Sequence, residues 1–364
     1  MADSEINDMR DEADFRGITF SNYKKCDVQK ELLKSIIDGK IEHACHWSVE
    51  LICAGHFMEL WDTIMTFIGK YVHLACPRIP LYIEMRFSQF KTLIQSGYSG
   101  SEIRLRNNPK FRKLFAEIMC VLCLCKKNHR FESVKIKKSE EYDITVMTQK
   151  LKAPKITYAE SCFRTKDPKE LFIALNEFAY HISGDSRNNL LACYWLEWIM
   201  EFETICKAKK EVCRCERRND VPVEEKLQFD PIWIIWELII EEASHPGHFP
   251  LTAKILKSLF ALYCIRFTQG VRKKRRYLVY FAISLLNTPY NQKTEIIENK
   301  DAVESVVANI NSIYKQIKKN EILPATDYLF HGTTKSDLDK TFERLEKLNS
   351  INTIIRKDDD ESKG

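Results

Sequence analysis

Residues 30–80, KELLKSIIDGKIEHACHWSVELICAGHFMELWDTIMTFIGKYVHLACPRIP, place apolar residues at helical spacing, with breaks at Asp38-Gly39, Gly55 and Pro77. The stretch therefore reads as helices stacked on one another. Much of it is written again downstream. Ala44-Cys45-His46-Trp47 returns as Ala192-Cys193-Tyr194-Trp195, and residues 61–73 have a counterpart in residues 233–245. The expected fold class is all-α: two tandem, duplicated helical-bundle units followed by a C-terminal helix.

Composition agrees with that expectation. The chain has 364 residues, 45% of them hydrophobic, enough for a core in one large or two ordinary domains. With only 11 Gly and 11 Pro, a turn-dense β fold is disfavoured. The net charge of +5 comes from 56 basic against 51 acidic residues. That excess is too small to imply nucleic acid by itself, so any such role must lie in local clusters. The 13 cysteines are odd in number, and several fall in apolar runs such as residues 116–125. Reduced, buried thiols in a cytoplasmic or nuclear compartment are expected rather than a disulfide framework. The opening MADSEINDMRDEADF is acidic and has no apolar signal core. No run reaches the roughly 18 apolar residues of a membrane span; residues 229–240 and 277–286 read as buried helices.

In chain order, residues 1–26 are expected to be a disordered leader. Residues 27–128 form the first helical unit, in which Asp27 caps a helix that Asp38-Gly39 ends. Residues 129–166 read as a linker or a short hairpin, and residues 167–296 as the second unit, opening with Asp167-Pro168 at Ncap and N1. Its landmarks follow those of the first unit. Lys169-Glu170-Leu171 echoes Lys30-Glu31-Leu32, Ile232-Trp233 echoes Leu60-Trp61, Pro250-Leu251 echoes Pro80-Leu81, and Arg276-x-Leu278 echoes Arg112-x-Leu114. Residues 297–348 supply C-terminal helices, the first amphipathic over 301–319, and 349–364 a disordered tail.

The succession of a helix, Asp38-Gly39, Ala44-Cys45-His46-Trp47-x-x-Glu50-Leu51, Leu60-Trp61 and His73-Leu74-Ala75-Cys76-Pro77-Arg78 resembles the C-terminal helical region of RarA-type AAA+ ATPases. In that family an Ala-Leu-Tyr-Trp-hydrophobic run precedes an Ile-Gly-Leu-Ala-x-Pro-Arg segment, and the closing helix ends near an Ala-Pro-Lys-Ser-Asn turn. Residues 280–291 and 122–128 stand at the corresponding places. The resemblance implies a module related to the collar of clamp loaders, which assembles subunits into rings. No G-x-x-x-x-G-K-S/T sequence is present to cradle a triphosphate, so it implies an assembly module without a motor. The cysteine-rich helices and Lys-Asn-Ile bias also resemble conserved proteins of large nucleocytoplasmic DNA viruses.

The strongest functional candidates are basic turns. Arg272, Lys273, Lys274, Arg275 and Arg276 lie between two apolar helices, and Lys110, Arg112 and Lys113 take their place in the first unit. Such turns suit contact with nucleic-acid phosphate. Lys126, Lys127, Arg130, Lys135, Lys137 and Lys138 form a second patch. A third comprises Lys207, Lys209, Lys210, Arg214, Arg217 and Arg218. Cys120, Cys123 and Cys125, and separately Cys206, Cys213 and Cys215, have types and spacing that suit zinc, but the former read as core and the latter lack a fourth ligand. His43 and His46 share a helix without the Glu of a metalloprotease motif, and the sequence places neither a carboxylate nor a nucleophile beside the His245-Pro246-Gly247-His248 turn. The Leu329-Phe330-His331-Gly332-Thr333-Thr334 match to ADP-ribosyltransferases reads as accidental, since no sheet follows it. No cofactor and no catalytic residue are expected. The function expected is a non-enzymatic assembly or adaptor protein in DNA replication or repair, with DNA, protein partners or self-association. The alternative is a structural or assembly protein of a large DNA virus particle.

Overall fold

Local chemistry sets the helix boundaries in this computed structural model, which describes residues 4–96, 102–136, 144–208 and 213–322. Helix α1 (Lys25–Ile37) and α2 (Ile41–Cys53) each stop where a glycine at positive φ turns the chain, Gly39 at +70° and Gly55 at +77°. Helix α3 (Phe57–Phe67) runs on into a π-helical turn, Ile68–Val72, and then a 3-10 turn, His73–Ala75. Helix α4 (Ile79–Gln95) starts with Pro80 in its first turn, and α5 (Pro109–Leu124) is capped by Asn108, which accepts from the amides of Lys110 and Phe111. After α6 (Ile144–Lys150) come α7 (Phe172–Ile182), α8 (Asn189–Ala208), α9 (Ile232–Glu242) and α10 (Pro250–Cys264). Thr268 caps α11 (Gln269–Lys274), α12 is Arg276–Asn287, and Asn299 caps α13 (Lys300–Lys318). Among the described residues there is no strand, and no helix is long and apolar enough to cross a membrane. The fold is all-α.

Helix neighbours correspond between the two halves. Helix α1 packs on α2 and α3, α2 on α5, and α4 on α5; likewise α7 packs on α8 and α9, α8 on α12, and α10 on α12. Trp61 stands among Phe87, Phe90 and Phe115, and Trp233 among Phe260, Tyr263 and Phe267. Both indoles are fully buried, each worth about 1.5–3 kcal/mol of hydrophobic stabilisation on burial. Helices α4 and α10 pack on each other, and α12 packs on the π turn. Residues 11–320, together with Met1–Ile6, accordingly form one unit with an apolar core running through both halves. Helix α13 lays Val303, Ile310, Ile313 and Ile317 against α5 and α2. In a second unit, Met9 and Ile322 are joined by a backbone hydrogen bond, and Asp8 accepts from the Ile322 amide at 3.0 Å.

Several expectations are corrected. Residues 11–24 are not a disordered leader: Phe15 and Phe20 are fully buried and stacked on each other, and His56 Nε2 bonds the Ile18 carbonyl at 2.7 Å. Two aromatics outweigh an acidic composition. Asp27 does not cap α1 but pairs with Lys30. Asp167 does not cap α7; its carboxylate is taken by Arg218 at 2.8 Å. No hairpin forms among the described residues of 129–166. Instead the chain after α5 covers the π turn, where the Asn128 and Phe131 amides donate to the carbonyls of Tyr71 and Lys70. The segments 97–101 and 137–143, the Leu329–Thr334 motif, the expected helix over 338–348 and the tail lie outside the described residues.

The π turn brings the backbone of Gly69 against the start of α12, so that a Cβ there would lie 2.9 Å from the Tyr277 carbonyl carbon. His73 follows at φ +30°, a conformation a bulky residue adopts only when its surroundings hold it. Here they do. The ring is buried, stacks on Phe131 at 4.0 Å, and its Nε2–H donates to the His129 carbonyl at 2.8 Å, leaving Nδ1 to face the Asn128 amide at 3.4 Å. Burial pushes the His73 pKa down to about 4, although the His129 carbonyl opposes the shift.

Gly69→Ala should destabilise the protein by about 1–3 kcal/mol through overpacking, while Gly184→Ala, where a Cβ meets nothing, should stay within about 0.5 kcal/mol. Denaturant titration checks both, and equal effects would remove the close-approach account. The unfolded His73 ring protonates near 6.5 and the folded one near 4, so its share of stability is complete above pH 6.5 and falls as pH drops towards 4. His73→Asn should lack that component, and parallel pH profiles for variant and parent would rule it out.

Candidate functional site

Arg272, Lys273 and Lys274 close α11, Arg275 sits in the break, and Arg276 opens α12; successive residues of a helix point about 100° apart. One basic run therefore fans out in several directions. Arg272 is buried and its guanidinium reaches both Asp230 oxygens, at 2.9 and 3.0 Å. Lys273 bonds Glu201 at 2.9 Å and Thr204 at 3.3 Å. Arg275, also buried, donates to the carbonyls of Tyr263 and Ile265 and to Asp62 at 2.8 Å. Arg276 bonds Glu197 at 2.9 Å and the Lys273 carbonyl at 2.7 Å. Burial holds the Glu197 carboxyl above its ordinary range despite Arg276 and the Tyr280 hydroxyl, which donates to it at 2.8 Å. Lys274 alone of the five is exposed with no recorded side-chain partner.

The first-unit turn divides in the same way. Arg112 is buried over the Tyr314 ring at 3.8 Å and bonds the Arg106 carbonyl, Ser4, Asn107 and Asn311. Lys110 and Lys113 face solvent from the first turns of α5. The expected phosphate contacts of Arg112, Arg272 and Arg275 are thereby corrected: these groups bind carboxylates and carbonyls inside the protein. Lys273 and Arg276 are likewise engaged by acids. Of the eight expected site residues, Lys110, Lys113 and Lys274 remain open to a ligand.

The other basic patches are also partly internal. Lys126 pairs with Glu298, Lys127 donates to the Cys123 carbonyl, and Arg130 and Lys135 are exposed. Lys137, Lys138, Lys209 and Lys210 lie outside the described residues. Arg217 pairs with Glu225, while Arg218 is fully buried between Asp167 and Glu237. Burial alone would raise the Asp167 pKa, but Arg218 and the amides of residues 164 and 216 hold it below the usual carboxylate range.

Most of the cysteines are buried, whereas Cys26 is exposed and Cys162 and Cys213 are half-buried. Burial pushes the Cys45 and Cys125 thiols up to about 12 and Cys123 higher still, so they stay protonated near neutrality. Cys213 lies beside Cys206, and its thiol too is pushed up to about 12 by burial. Among the described residues no group of three or more His, Cys, Asp or Glu side chains is placed to hold a metal ion.

Two clefts gather polar groups. One, of about 530 Å³, lies beside the His245–His248 turn. Ser161 and Cys162 both donate to one oxygen of Glu241, at 2.7 and 2.9 Å, and His248 Nε2 lies 3.2 Å from Glu242. Burial and then Glu241 raise the Cys162 thiol to about 12, which makes it a weak nucleophile. The expectation of no carboxylate beside this turn is thereby corrected: Glu241 and Glu242 close α9 just upstream of it. The other cleft, of about 860 Å³, is bordered by Lys274 and Arg275 and lined also by Arg16, Lys25, Glu59 and Arg266. A further hollow of about 370 Å³, along α1 and α3, shares Asp62, Lys274 and Arg275 with it.

Arg272→Ala leaves the Asp230 carboxylate buried without its cation and should cost about 3–5 kcal/mol, whereas Lys274→Ala should change stability by no more than about 0.5 kcal/mol. Chemical denaturation of both separates a structural clamp from a solvated turn; a tolerant Arg272 would defeat this assignment.

Comparison of the chain with protein-family models, with curated proteins and with solved structures gives no match.

Proposed function

We propose that this chain is a non-enzymatic helical assembly or adaptor protein of DNA replication or repair. It meets nucleic-acid phosphate through surface cations and partner subunits through apolar side chains exposed on its helices. What carries this reading is the split within the two basic turns. Their arginines Arg112, Arg272 and Arg275 lock helices together, while Lys110, Lys113 and Lys274 project from the same turns into solvent. A lysine ammonium is a mobile point charge that suits sequence-independent phosphate contact. The resemblance to a collar module, the shared neighbour scheme of the two halves and the missing triphosphate-binding loop support the assembly half. Leu190 at 70% and Phe249 at 53% exposure offer apolar contact to a partner.

Binding of a labelled single strand should fall with salt, with a logarithmic slope of about −2 if three lysines each neutralise one phosphate. Changing Lys110, Lys113 and Lys274 together to Ser should remove most of that slope without unfolding the protein. Absence of salt-sensitive binding by the pure parent protein would sink the nucleic-acid half.

A further inference from the structure

We infer that the cleft beside α11 is a preorganised site for one phosphate of a nucleic-acid strand, with Arg266 and Lys274 as its cationic contacts. This rests on the nucleic-acid reading above and assigns it a place. Arg266 is exposed at a φ of +39°, a conformation that costs free energy for a side chain of this size. The cause lies underneath it. Arg275, 5% exposed, binds the carbonyls of Tyr263 and Ile265 on the N-terminal side of Arg266, and the Phe267 amide donates to the Cys264 carbonyl. The turn is held at both sides, and Arg266 lines the cleft with Lys274 and Arg16. Among the described residues no side chain pairs with these three cations, and each is exposed.

The remaining charges of the cleft sort into pairs and two free acids. Glu59 is matched by Lys25, and Asp62 by Arg275. Glu12 and Glu102 also line the cleft, and among the described residues no cation pairs with either. A bare multivalent anion is poorly matched to that mixture. A nucleotide unit is matched: its phosphate meets Arg266 and Lys274, and carboxylates accept from exocyclic amino groups or sugar hydroxyls. The volume, about 860 Å³, lies within the range that small-molecule sites occupy. Arg275 is then a positioning residue, acting through the turn that carries Arg266.

The test exploits the backbone. Arg266→Gly removes the cation and accepts the positive φ, so its melting temperature should be unchanged or higher, whereas its affinity for a labelled twelve-nucleotide strand should fall about 5–10-fold at low salt. Lys274→Ser should give a similar loss and a shallower salt slope, by about 0.7 for one phosphate. Lys110→Ser with Lys113→Ser serves as the comparison outside the cleft. If the strand binds the Arg266 and Lys274 variants as tightly as the parent but is lost by the Lys110/Lys113 variant, the cleft assignment is overturned and the proposed function stands. If the parent protein does not bind the strand at all, both are overturned.

Discussion

The Arg275 guanidinium ties three parts of the molecule together. It reaches Asp62 on α3, 213 residues away in sequence, and the carbonyls at the end of α10, from a position between α11 and α12. Beside it, Arg272 reaches Asp230 at the start of α9, and Arg276 reaches Glu197 on α8. A buried arginine is tolerable when most of its donors are met, and the two Nη groups of Arg275 meet three acceptors at once. The consequence is that a run which looks like a surface patch is a set of internal clasps, each aimed at a different helix.

A second constraint acts on the backbone. The extra residue of the π turn after α3 rotates the chain so that Gly69 lies against the start of α12. The segment after α5 then folds over this turn, and Phe131 and the His129 carbonyl hold His73 in its strained conformation. Helices of the two halves therefore share one core, although the Lys- and Glu-rich span 129–166 separates them in sequence. The chemistry that composition suggested is muted by the same burial. Thiols that would serve as ligands or nucleophiles if exposed are kept protonated by the apolar surroundings that make them good core residues.

The candidate site was legible only in part. Lys274, Lys110 and Lys113 were readable as surface cations because lysine on the polar side of a helix start or end has nothing else to do. Arg272 and Arg112 were not distinguishable from them, because the acceptors that bury them, Asp230 and the groups around Tyr314, come from distant segments. Arg266 gave no signal at all. Its importance follows from a backbone angle and from the buried arginine beneath it, neither of which a string of letters records.

By itself the sequence determined the all-α class and the ends of the first two helices, because helical periodicity and the glycines at Gly39 and Gly55 are local properties; the caps it pointed to, Asp27 and Asp167, are instead paired with cations. Trp61 and Trp233 were legible as matching landmarks of the two halves, and both are buried. Only the tertiary structure decided which charges face water. Ion pairing depends on distance in space and on burial, and the partners of Arg218, Arg272 and Arg275 stand 51, 42 and 213 residues away. It also decided the fate of residues 11–24, since a short stretch with two aromatics folds or frays according to whether the rest of the chain offers it a cavity.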